Sequence, residues 1–67
     1  MALLRLPDIR NMNSEERSGK MKELRDELMR ERGISAMGGA PPNPGRIKSL
    51  RINIARLATV MREEGEL

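Results

Sequence analysis

Cysteine, histidine, phenylalanine, tyrosine and tryptophan are all absent from the 67 residues, and each absence removes a class of function. Without Cys there is no disulfide and no thiol nucleophile, and without His there is no imidazole base and little means of building a zinc site. Without aromatic rings, no base of a single-stranded nucleic acid can be stacked on the protein. Long apolar runs are also missing: none exceeds four residues, too few to span a membrane. Residues 1–7, MALLRLP, are too short and carry their charge in the wrong order for a signal peptide, so the chain reads as cytoplasmic. Carboxylates are present, but they alternate with Lys and Arg in a chain too short to form a pocket around them. The expectation is therefore a protein that is not an enzyme, with no catalytic, cofactor or metal residues and no small-molecule substrate. Small domains without disulfides or metals usually lean on a partner for part of their order, and a partner is expected here.

What is present is charge, unevenly placed. Lys plus Arg number 13 and Asp plus Glu number 10, a net charge of +3. From Arg32 to Arg62 there are six basic residues (Arg32, Arg46, Lys48, Arg51, Arg56 and Arg62) and no acidic one. From Asn13 to Glu31 six acidic residues nearly balance five basic ones. A cationic second half beside a near-neutral first half points to a polyanionic partner, nucleic acid first.

Two long helices are expected. Asn13 precedes Ser14, Glu15 and Glu16, an N-cap with its capping-box Glu and two carboxylates at the positive end of the helix dipole. Met21, Leu24 and Leu28 follow on one face, and Arg17 and Ser35 extend that stripe with polar groups. The Gly38-Gly39 pair should end this helix near Ala36. Pro41 and Pro42 stiffen the turn, and Asn43-Pro44 supplies an N-cap and a first-turn proline for the second helix. There Ile47, Leu50, Ile54, Leu57 and Met61 fall within about 80° of one another, a narrow seam. Gly65 should stop it just beyond Glu64. The reading is an all-α, antiparallel two-helix hairpin in a single domain spanning 1–67. Its parts are an N-terminal segment 1–12 with a short helical turn from Pro7, a first helix 13–36, a Gly/Pro loop 37–43 and a second helix 44–64. Leu3, Leu4, Leu6 and Ile9 are expected to lie over an open end of the hairpin. Met21 and Met61 read as seam fillers, whereas Met29 and Met37 lie off the stripe.

Opposite its seam the second helix places Lys48, Ile52, Ala55 and Thr59, with Arg51 and Arg62 at one edge and Arg56 at the other. Small uncharged residues ringed by cations suit close approach to a phosphate backbone, although a solvated basic face accounts for the same residues. The lack of aromatics turns the expected contact toward phosphates, 2′-hydroxyls and the shape of folded RNA. Arg46 lies in the first turn, where a cation opposes the helix dipole, so local helix stability does not account for it.

The string GGAPPNPGRIKSLRINIARLATVMRE, residues 38–63, resembles the archaeal form of the universal large-subunit ribosomal protein family conventionally numbered twenty-nine. NPGRIK at the start of the second helix and RINIARLAT within it are its most specific parts, and IRNM, EER and the ELR and ERG of the first helix are similar as well. Pro42, Asn53 and Ala58 depart from the family's more usual residues. The resemblance implies a ribosomal two-helix hairpin bound to large-subunit rRNA near the mouth of the polypeptide exit tunnel. Its implied neighbours are ribosomal protein twenty-three and nascent-chain factors such as the signal recognition particle. It assigns rRNA contacts to Arg46, Lys48, Arg51, Arg56 and Arg62, helped by Arg32 and the backbone at Gly38, Gly39 and Gly45. From the residues alone a second reading stays open: a hairpin adaptor that binds protein through its apolar or Met-bearing face, for example as a homodimeric four-helix bundle.

Overall fold

A computed structural model describes residues 3–36, 38 and 44–67. Three helices follow one another: α1 (Leu6–Asn11), α2 (Ser14–Ala36) and α3 (Pro44–Glu63). α2 and α3 pack along each other and α1 packs on α3, so the hairpin expected from the sequence is present. At 1.5 Å per residue the long helices measure roughly 30–35 Å, and they run along the longest, 39 Å, dimension of the molecule. The Gly/Pro loop 37–43, with Met37, Gly39, Pro41, Pro42 and Asn43, lies outside the described residues apart from Gly38. The side chain of Ser35 does so too.

Both termini of the hairpin are built by local rules. The Asn13 side-chain oxygen accepts a hydrogen bond from the Glu16 N–H at 2.8 Å, which satisfies one of the donors a helix start leaves free. At the other end Gly65 takes a φ of +71°, a left-handed conformation that costs glycine nothing. Its N–H then bonds the Arg62 carbonyl and the Glu66 N–H bonds the Met61 carbonyl, which closes α3 in a Schellman motif and turns Glu66 back toward the hairpin.

The core comprises Ile9, Met21, Leu24, Leu50, Leu57, Val60 and Met61, with Leu4, Leu6, Leu28, Ile54 and Ala58 partly buried against it. Burial of each Leu, Ile or Val contributes about 1.5–3 kcal/mol. The buried side of α3 differs from the seam read in the sequence. Asn53 and Val60 are buried, whereas Ile47 and Ile54 are only half-buried. The seam arithmetic supposes one partner helix, but α3 is gripped by two elements, and α1 draws the buried arc round toward itself. Leu4, Leu6 and Ile9 pack against the core along this side of α3 rather than over an open end of the hairpin, and Leu3 is exposed.

Helix α1 has six residues and no side-chain N-cap, too little to persist alone. Three attachments hold it. Ile9 is fully buried, Arg10 pairs with Glu63 at 3.2 Å, and the Arg17 guanidinium reaches from α2 to the carbonyls of Ile9 and Met12 at its C-terminal end. Upstream, the Leu4 N–H donates to the Asn53 side-chain oxygen at 2.8 Å and the Leu4 carbonyl accepts from Arg56 at 2.8 Å. Asn53 and Arg56 lie three residues apart, on adjacent turns of α3, and hold both backbone groups of one residue of the N-terminal segment.

Candidate nucleic-acid interface

The cations proposed for the interface fall into two groups once their partners are known. Arg46 points along the edge of the hairpin, where it pairs with Glu27 and, at 3.2 Å, with Glu31. These carboxylates are four residues apart on α2 and so share a face. They account for a cation in the first turn of α3, which the helix dipole alone disfavours. Arg56 is half-buried and committed to the Leu4 carbonyl.

Lys48, Arg51 and Arg62 form the other group. All three are exposed, and none has a hydrogen bond or ion pair with any described residue. Together with exposed Ala55 and Thr59 they lie within about 80° of one another on α3, and Lys48 and Arg62 are about 21 Å apart along its axis. The Thr59 hydroxyl donates to the Ala55 carbonyl at 2.9 Å, so the middle of the row is low and its polarity is internally satisfied. Arg51 and Arg62 lie at one edge of this row with Ala55 at its centre, and Ile52 is half-buried beside it. Arg62 also suits the negative end of the helix dipole in the last turn of α3.

Arg32 is exposed near the loop end of α2, without a partner among the described residues. Gly38 is exposed with a φ of +75°, and Gly45 is exposed in the first turn of α3. Gly39 lies outside the described residues. The arrangement presents positive charge along the exposed face of a helix, which suits binding an extended polyanion.

Two polar residues central to the fold were not read from the sequence as such. Arg17 is 5% exposed on the face that also carries Met21 and Leu24. It donates to Glu66 from Nε at 2.9 Å and from a terminal nitrogen at 2.5 Å, in addition to capping α1. The hydrogen bond to Glu66 raises the Arg17 pKa further against the opposing effect of burial. The same bond holds the Glu66 carboxyl below the ordinary glutamate value, again against desolvation. The sequence signal for Arg17 was its place on the apolar stripe. Asn53 carried none, because an Asn in a helical pattern is ordinarily exposed.

By class this is a small helical-hairpin structural protein, stapled by buried polar contacts and carrying a row of free cations. The family model described as Ribosomal L29 protein matches residues 7–63. The large ribosomal subunit protein uL29 of Halobacterium salinarum is 52% identical over 67 residues, covering 100% of this chain and 94% of the relative. That of Methanothrix thermoacetophila is 52% identical over 63 residues, covering 94% of each chain. That of Methanocaldococcus jannaschii is 47% identical over 64 residues, 96% of this chain and 91% of the relative. The chain belongs to the ribosomal L29 protein family. Its role is that of a structural component of the large ribosomal subunit, not an enzyme.

Proposed function

We propose that the chain binds large-subunit rRNA by laying the outer face of α3 against the phosphate backbone. One observation carries this reading: Lys48, Arg51 and Arg62 are exposed in one row, around the small residues Ala55 and Thr59, with no intramolecular partner among the described residues. Free cations release counterions when they meet phosphates, whereas Arg46 and Arg56 must first leave partners they already hold. Those two, with Arg32 and the backbone at Gly38, Gly39 and Gly45, are secondary contacts in this reading. The family resemblance supports a cytoplasmic ribosomal seat near the polypeptide exit tunnel, beside ribosomal protein twenty-three and within reach of the signal recognition particle. The adaptor reading has less support, since the exposed Met29 stands alone among the charged Lys22, Arg25 and Asp26 rather than in an apolar face.

The test is binding to protein-depleted large-subunit rRNA as a function of salt. Replacing Lys48, Arg51 and Arg62 together by Gln should weaken binding and reduce the slope of log K against log salt by about 2–3. An unchanged slope would overturn the reading. In whole subunits, the same triple variant should be released at lower salt than the parent.

A further inference from the structure

Helix α2 looks electrically neutral in sum, but its charges are sorted by face. Glu27 and Glu31 lie along the edge that meets Arg46, and Glu23 lies with Lys20, at 3.9 Å, on the same flank. Lys22, Arg25 and Arg32 fall instead within about 80° of one another on a different face. All three are exposed and have no partner among the described residues. A shallow groove locates this face, because Lys22 and Arg25 line it together with Met21 of α2 and Met61 of α3. It is therefore the broad side of the hairpin opposite the acidic edge. The N-terminal segment, held by Asn53 and Arg56, lies on the other side and leaves this one uncovered.

Arg51, Ile54, Ala58 and Arg62 follow one another along the α3 edge of the same broad side. Two cationic strips thus run along neighbouring helices, separated by an interaxial distance of about 8–10 Å. Asp26 is the acidic residue that lines the groove with them, and Glu15 lies two turns before Lys22 on the same side.

Resting on the proposed RNA reading of α3, we infer that Lys22, Arg25 and Arg32 form a second phosphate-binding strip. The hairpin then meets a folded, helical RNA with both helices rather than with α3 alone. Six free cations replace three. The sugar–phosphate backbone is the favoured ligand because cations outnumber Asp26 and Glu15 on this side and because an absence of aromatic rings excludes base stacking. Of the groove's methionines, Met21 and Met61 are already buried in the core and Met29 alone is exposed, which is little apolar surface for a partner helix.

The experiment compares the full chain with Lys22→Gln/Arg25→Gln on protein-depleted large-subunit rRNA across a salt series. With six cations engaged, the parent slope of log K against log salt should be on the order of −4 to −5, and the double variant should lower its magnitude by about 1.5–2. Lys22→Arg should bind as the parent does, and Asp26→Asn should bind several-fold more tightly. Neither Lys22 nor Arg25 has a structural partner, so circular dichroism and melting should be unchanged. If the α3 triple variant lowers the slope while the α2 double variant does not, the second strip is wrong and the α3 reading stands. If neither does, both fall. A double variant that binds bare rRNA normally but is lost from whole subunits would assign this face to a protein neighbour instead, and that too would overturn the inference.

Discussion

The two broad sides of this hairpin are made by the same two helices and treat charge in opposite ways. On the side and end covered by the N-terminal segment, charged and polar groups are spent internally. Arg17 joins α1 to Glu66, Arg10 joins Glu63, Arg46 joins Glu27 and Glu31, and Arg56 with Asn53 holds Leu4. On the open side Lys22, Arg25, Arg51 and Arg62 have nothing to hold among the described residues. The difference teaches that, on the proposed reading, the count of basic residues is a poor guide to the surface that faces RNA. Cations with an internal partner serve the fold, and those without one are the ones a polyanion can take without cost to it.

That division can be broken most strongly at Asn53. Asn53→Ala leaves the half-buried Leu4 N–H without its acceptor and opens space at the buried Asn53 site, so a loss of about 1–3 kcal/mol is expected. Urea denaturation gives the total, and hydrogen exchange should show Leu4 losing protection while the middle of α2 keeps it. The loss of protection should be local, because the N-terminal segment detaches without dissolving the α2–α3 contact.

A smaller effect should appear as a dependence on pH. Glu66 has a lowered pKa in the folded chain, because Arg17 bonds its carboxylate. The folded state therefore binds fewer protons at this site than the unfolded chain does. The associated stability is fully present above the ordinary glutamate pKa of about 4.3 and is lost as pH falls through the lower folded value. Thermal melting between pH 6 and pH 3, as approximate limits about that value, should show Glu66→Gln less stable than the parent at the upper end and converging with it at the lower. A constant gap across the range would show that the bond does not depend on charge.

The smallest stability effects should sharpen the contrast between the two groups of cations. Arg46→Ala removes a half-exposed pair of salt bridges, each worth about 0–1 kcal/mol, whereas Lys48→Ala should stay within about 0.5 kcal/mol of the parent. In RNA binding the order should reverse, with Lys48→Ala the more damaging substitution. Equal damage from both would erase the distinction drawn between engaged and free cations.

Much of the hairpin was legible in the sequence because its signals are local. Asn13 before Glu16 is a cap, Gly65 is a stop, and the spacing of Met21, Leu24 and Leu28 is one helical face. The departures in packing arise where distant segments meet. The seam of α3 was read for one neighbour, so Asn53 and Val60, which answer to α1 and the N-terminal segment as well, fell outside it. Arg46 seemed unexplained because its partners lie 19 and 15 residues away on the other helix. Glu27 and Glu31, four residues apart on the flank of the first stripe, were the signal available for it. Lys22 and Arg25 were hidden by summation, since a helix whose charges cancel in total can still be strongly polar across its width.

The pin at Arg17 has a consequence for how the chain folds. It ties the carbonyls of Ile9 and Met12 to Glu66, which is 49 residues further along than Arg17 itself. The α2–α3 pairing nearest the loop encloses the least chain and is entropically cheapest to close, so zipping should begin there and reach Arg17 last. A weakened pin should accordingly leave the folding rate nearly untouched and quicken unfolding, a φ-value near zero. The lifetime of the native hairpin, rather than the speed at which it forms, is then set at the end where the first and last segments of the chain are fastened together.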